Sequence, residues 1–294
     1  MSITKKLSEL RDLIEQKWWG LTFGDNRMFQ LAMCREPEKI ALKLIRAALP
    51  WPVDAIQDIA NEKDLFQFLD DKECRLDILV KTCDRNVNVE MESREADKYY
   101  LMRRLRVYQA QSDLALIKPG SKYKDILDLC QVVISRYQPF AGDNWALYHF
   151  TTYCERLAAQ LAASVDGVHK FVYNAKGTLG LEEISPDMLA LFRYLNENAV
   201  GDNQFILDID RTVAGIKKDT ELKNMFVKDT LAYNQDMFDA RAEGHAEGLA
   251  EGEGKLESLI QAMKDAGKTL EFICKEIADK SKRSQLYKQY GIEA

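Results

Sequence analysis

The sequence predicts an α/β fold, an α+β arrangement on a mixed sheet with a helical C-terminal region. Three observations predict it. Runs at 75–81, 87–93 and 129–137 have the length and β-branched, apolar composition of strands. A charged stretch of helical period, 94 to about 117, separates the second run from the third. From Ser185 almost to the end the pattern is helical.

The elements follow in order. The first residues, "MSITKKLSELRDLIEQKWWG", carry charges throughout their apolar stretch, so no signal-peptide core is expected there. Arg27 to Leu49 reads as a helix, with Met28, Leu31, Ala32, Ile40, Leu44, Ile45 and Leu49 near helical spacing. Pro37 has no N–H and should break or kink it. "LPWP" at 49–52 ends it, and "KPG" at 118–120 ends the charged helix. "LCQVVISRY" at 129–137 is a buried strand. "LYHFTTY" and "VHKFVYNA" alternate more loosely and read as further strands. The aromatics Trp18, Trp19, Tyr99 and Tyr100 read as core.

"AEGHAEGLAEGEG" repeats Ala-Glu-Gly with a period of four. Its spaced glycines each cost a helix roughly 1 kcal/mol. It reads as a solvated helix or linker, or as a small-residue stripe that lets two helices approach in an oligomer. Leu256, Leu259, Ile260, Met263, Leu270, Ile273 and Ile277 then make an amphipathic tail around Gly267. "GKTLEFICKEIADKSKRSQLYKQYG" is also compatible with a short helix–turn–helix.

Composition narrows the function. The 294 residues allow one or two domains, each with a proper core. A net charge of −6 argues against a broadly basic nucleic-acid binder, but not against a local basic groove. No run of about 18 apolar residues occurs, so no membrane partner is expected. Six cysteines without CxxC spacing read as reduced thiols in a cytoplasm. Three histidines, none at ligand spacing from a cysteine, argue against a histidine metal site or a Ser-His-Asp triad.

The chemistry concentrates in "RLDILVKTCDRNVNVEMES", 75–93. Side chains alternate faces along a strand. Arg75, Asp77 and Leu79 share one face of the first strand, and Asn88, Glu90 and Glu92 share one face of the second. The polar connector "TCDRN" makes the pair an antiparallel hairpin. A two- or four-residue loop sets Asp77 opposite Glu90. Three carboxylates on one face repel and raise one another's pKa values unless a cation lies among them. Hard oxygen ligands suit Mg²⁺ or Mn²⁺. A solvated face whose charges happen to align would show the same spacing.

Several of these segments resemble one known family. "FGDNRMFQLAMCREPEKIALKLIRAAL", "CRLDILVKTCDRNVNVEMESR", "RLRVYQAQSDLALIKPGSKY" and "VVISRYQPF" are similar, in this order, to motifs of the Rpn-type recombination-promoting nucleases, or PD-(D/E)XK nuclease family transposases. The resemblance covers Phe23 to Gly177. It implies a restriction-endonuclease-like αβββαβ core within a nuclease-like domain at 1–182. A helical extension at 183–240 and the repeat linker and helical tail at 241–294 would follow. It implies a metal-dependent DNA endonuclease associated with recombination or mobile elements, cutting to a 5′-phosphate and a 3′-hydroxyl. Asp77, Glu90 and the Met91 main-chain carbonyl match the metal ligands, for Mg²⁺ or Mn²⁺. Glu92 stands where the superfamily usually has Lys and this family mostly Gln, and is the third catalytic candidate. Arg104 and Tyr108, one turn apart on a helix, match the family's Arg and Tyr; with Arg106 and Lys98 they are candidates to bind DNA or orient the site. Asp25 sits at the family's entry to its first helix, or is simply an N-cap. The expected partners are DNA and a second copy of the chain through the C-terminal helices. The alternative is a catalytically weakened DNA-binding or scaffolding protein on a nuclease fold, with Glu92 marking the weakened site.

Overall fold

The computed structural model describes residues 3–61, 77–93, 95, 98–116, 120, 122–140, 142–152, 154 and 166–292. Its helices are α1 (Ile3–Gly20), α2 (Asn26–Arg35), α3 (Ala41–Ala48), α4 (Lys98–Leu116), α5 (Pro186–Glu197), α6 (Gln204–Lys218), α7 (Thr220–Asp265), α8 (Leu270–Ala278) and α9 (Lys280–Gln289). Its strands are β1 (Asp58–Asn61), β2 (Ile78–Lys81), β3 (Arg85–Glu92), β4 (Asp128–Ser135), β5 (Leu147–Thr151) and β6 (Val168–Asn174). The chain is an α/β protein with a mixed sheet in the order β1-β2-β3-β4-β6-β5.

The first three strands form an antiparallel meander. β3 pairs with β4 in parallel, and β4 with β6 in parallel. A parallel neighbour needs a crossover of a dozen or more residues, and α4 supplies it between β3 and β4. β5 closes the edge antiparallel to β6. The hairpin register is the expected one. Ile78 lies opposite Val89, so one further step sets Asp77 against Glu90. The tip is Cys83–Asp84, where the Thr82 amide donates to the Arg85 carbonyl at 2.9 Å and the Thr82 hydroxyl accepts from the Arg85 amide.

The sheet is covered on both faces. One face packs under α4, whose Leu101, Leu105 and Tyr108 meet Val133 of β4 and Val172 of β6. The other lies against the helices around Ala48 and Phe192. There the Tyr173 hydroxyl donates to the Ala48 carbonyl, and the Tyr173 and Phe192 rings meet edge to face at 6.3 Å. Burying aliphatic side chains such as Leu44, Ile45, Val89 and Ile134 contributes about 1.5–3 kcal/mol each.

The helix expected over 27–49 is two helices. Residues 36–40 interrupt it, with Pro37 inside the break. β1 has no counterpart among the expected strands. It pairs along β2 through "DIAN", whose mixed composition carries no strand signal. Of the run 75–81, residues 75 and 76 lie outside those described. Among the described residues no helix is long and apolar enough to cross a membrane.

The chain divides into two compact units, Met1–Asn224 and Met225–Ala294. In the first, the Trp18 indole donates to the Lys217 carbonyl at 3.0 Å and ties α1 to α6. In the second, Leu259 and Met263 of α7, Ile273 of α8 and Leu286 of α9 form a cluster of their own. Most of the tail's apolar stripe is thereby used within its own unit, while Leu270 stays exposed. The Ala-Glu-Gly repeats lie inside α7 as continuous helix. A Cβ added at Gly244, Gly248, Gly252 or Gly254 would meet nothing within 4 Å among the described residues. Among the described residues no neighbour uses that small-residue face.

Gly177 stands where two backbones cross. A Cβ there would lie 2.5 Å from Ala146 Cα and 2.6 Å from the Trp145 carbonyl oxygen. Both are main-chain atoms of a segment pinned by the Asn174 amide, which donates to the Ala146 carbonyl at 2.9 Å. Gly177→Ala should therefore cost about 1–3 kcal/mol, as overpacking does. Urea unfolding checks this through a lower midpoint at unchanged slope; an unshifted midpoint would show that the crossing relaxes freely.

Candidate active site

β3 is buried along nearly its whole length, from Asn86 to Glu92. Val87, Val89 and Met91 fill one face. Asn86, Asn88, Glu90 and Glu92 hold the other, where an apolar row would be the ordinary solution. Asp77 joins them from the start of β2. Asp77 is 5% exposed, Glu90 3% and Glu92 7%.

Asp77 exchanges hydrogen bonds with the Glu90–Met91 segment. The Asp77 amide donates to Glu90 Oε1 at 3.0 Å, and the Met91 amide donates to Asp77 Oδ2 at 2.9 Å. Gln30 of α2 donates through Nε2 to Asp77 Oδ1 at 3.0 Å. Both Asp77 oxygens thus have neutral donors. Burial raises the Glu90 pKa well above the usual carboxylate range, and the Asp77 charge beside it raises it further. The Asp77 amide, the more distant Arg104 and the Asn88 side chain pull the other way without reversing this.

Glu92 is paired differently. Its Oε2 accepts from Nη2 of Arg104, which reaches down from α4. The guanidinium lies over Tyr100 at 5.7 Å and Tyr108 at 5.6 Å, within cation–π range. Burial opposes the Arg104 charge, but Glu92, Tyr108 and Glu90 together more than offset it, so the Arg104 pKa is raised. Arg104 and Tyr108 share a helix face, as their spacing predicts. Lys98 is the first residue of α4, and Arg106 is exposed on the helix's outer side.

The Asp25 carboxylate turns back to the Thr22 amide at 2.7 Å and hydroxyl at 2.9 Å. It occupies the N-cap position of α2 but bonds none of the helix's first amides. Tyr99 and Tyr100, expected in the core, are exposed at 65% and 57%, and Trp19 at 52%; Trp18 alone of the four is buried. α4 commits Leu101, Leu105 and Tyr108 to the sheet, and residues 99 and 100 fall off that stripe.

Two residues near the acids had no assigned role in the sequence. Gln30 is a buried polar residue among Met28, Phe29, Ala32 and Met33, and that apolar setting was the available signal. Asn88 is fully buried on the carboxylate face, where its side-chain amide is one of the groups that hold the Glu90 pKa down. A third pairing lay beyond sequence reach. His149 Nε2 and His169 Nδ1 are 3.1 Å apart across β5 and β6, and burial lowers both pKa values.

Asp77 and Glu90 offer hard oxygen donors, and a divalent cation would relieve the crowding that raises the Glu90 pKa. The donor set therefore fits Mg²⁺ or Mn²⁺. Among the described residues no three His, Cys, Asp or Glu side chains gather as a metal cluster. Mg²⁺ commonly uses one or two carboxylates, with waters and substrate phosphates completing its shell. No family model, curated protein or solved structure matches this chain.

Two stability measurements test these electrostatics. A carboxyl whose folded pKa is raised stabilises the fold at low pH, and this contribution is lost as pH rises above its unfolded value, about 4.3. Glu90→Gln keeps an oxygen for the Asp77 amide and cannot ionise. It should melt several degrees above the native protein near neutral pH, with the gap closing toward about pH 4.3. A variant that melts lower at neutral pH would count against a destabilising Glu90 charge. Arg104→Met leaves Glu92 buried without its cation and should cost about 3 kcal/mol, most of it recovered in Arg104→Met/Glu92→Met. Equal losses in the single and double variants would show that the pair is not the source.

Proposed function

We propose that this chain is a metal-dependent DNA endonuclease of the PD-(D/E)XK type, acting in recombination or on mobile elements. The observation that carries the reading is the exchange of hydrogen bonds between Asp77, just before β2, and the Glu90–Met91 segment of β3, beneath a helix that brings Arg104 to the same place. The succession α3-β1-β2-β3-α4-β4 supports a restriction-endonuclease-like core.

Asp77, Glu90 and the Met91 main-chain carbonyl are the groups that would hold Mg²⁺ or Mn²⁺. Such an ion activates a water and stabilises charge on the scissile phosphate. The chain's residues do the rest. Gln30 and the Met91 amide fix the Asp77 carboxylate, and the Asp77 amide fixes Glu90. Arg104 neutralises Glu92, so an approaching phosphate meets an ion pair instead of a bare third negative charge. Tyr100 and Tyr108 hold the guanidinium in place. Lys98 and Arg106 extend the positive charge along α4.

The Glu92–Arg104 pair also favours the second reading, a weakened enzyme that binds DNA as a scaffold. Each partner's charge is offset by the other, which leaves less of it for a water or phosphate.

Nicking of supercoiled plasmid DNA decides between them. The native protein should cut with Mg²⁺ or Mn²⁺. Asp77→Ala and Glu90→Ala should each lose on the order of 10³-fold, equivalent to about 4 kcal/mol of transition-state stabilisation. Glu92→Gln then assigns the third acid. A rise in rate makes Glu92 an impairment, and abolished cutting makes it a working residue. DNA binding without any metal-dependent cutting would sink the endonuclease reading and leave the scaffold.

A further inference from the structure

We propose that the outer face of α4 carries a pocket for an unpaired base, so that the DNA engaged here includes a single-stranded segment. Tyr99, Met102, Arg103 and Arg106 recur at i, i+3, i+4 and i+7 and form one stripe on the helix. With Phe140, from the segment after β4, they line a pocket of about 310 Å³. That is at the small end of ligand sites, which run from about 300 to 1,000 Å³. Arg103 and Arg106 are exposed, and Tyr99 is 65% exposed.

Charge and shape select the occupant. From Lys98 to Ser112, α4 has four basic residues and no acidic one, in a chain whose net charge is −6. The walls are aromatic and aliphatic, and two guanidiniums stand among them. That pairing matches a base with its phosphates. The ring stacks on an aromatic face and the backbone meets arginine. A base within a duplex is stacked on its neighbours and cannot enter such a pocket. Duplex DNA would reach only the arginines. Arg103 adjoins Arg104, whose guanidinium holds Glu92, so one helix serves both the pocket and the acidic site. The link between pocket and cleavage rests on the endonuclease reading; the binding itself does not.

Fluorescence anisotropy tests this with a labelled oligothymidylate and a duplex of equal length, in EDTA so that nothing is cut. The native protein should bind the single strand. Tyr99→Ala should weaken that binding about 5- to 150-fold, the equivalent of about 1–3 kcal/mol of base stacking. Its effect on the duplex should be less than about twofold, and Tyr99→Phe should retain native affinity. Arg103→Ala and Arg106→Ala should each lower the salt slope by roughly 0.7 on the single strand. Unchanged single-strand affinity in Tyr99→Ala would overturn the proposal, as would equal losses on both DNAs or no single-strand binding by the native protein. Tyr99-dependent binding by a protein that never cuts DNA would support the pocket while sinking the endonuclease reading.

Discussion

The exchange of hydrogen bonds between Asp77 and the Glu90–Met91 segment is the constraint on which the rest depends. A strand slipped by one residue turns every side chain to the opposite face. In this hairpin a one-residue slip of β2 against β3 would move Asp77 to the face of Val89 and Met91, away from Glu90 and Glu92, and leave the Asp77 amide without its acceptor. The register that keeps the apolar row together therefore also brings the acids together. β3 then has its place between β2 and β4. The parallel pairing with β4 requires a crossover, and that crossover is α4, the helix that delivers Arg104.

The electrostatic cost is distributed over several donors. Asp77 is satisfied by Gln30 and the Met91 amide, Glu92 by Arg104, and Glu90 by the Asp77 amide and the Asn88 side chain while its pKa is driven upward. Glu90, buried beside the Asp77 charge, is the least compensated of the three acids. Buried polar groups of this kind cost stability and persist where function needs them. α4 divides its surface accordingly. One stripe closes the core, Arg104 reaches the acids, and the outer stripe offers aromatic and basic groups to solvent.

Much of this was legible because local rules carried it. Alternation in "RLDILVK" and "VNVEMES", with a short polar connector, was enough for the hairpin, its register and the shared face of Asp77, Glu90 and Glu92. Pro37 marked a real break, and Arg104 and Tyr108 met as their spacing required. Other features had no local signal. β1 is held by pairing to β2 and not by its own composition. Tyr99 and Tyr100 read as core because aromatics usually are, whereas helix phase puts them outside. Asp25 chose Thr22 over the helix amides. His149 and His169 meet only because β5 lies beside β6.

By itself the sequence determined the periodic elements, the carboxylate face and the basic run of α4, since each arises from residues close along the chain. Tertiary structure decided which charges were paired and which were left under strain. It brought Gln30 to Asp77 and Arg104 to Glu92, and it left Glu90 beside a second acid. It also turned Tyr99 and Arg103 outward with Phe140 beside them. These outcomes depend on which elements pack together and on how far each group is removed from water. Neither burial nor a long-range partner is a property of the local sequence, so the geometry of the site came only with the fold.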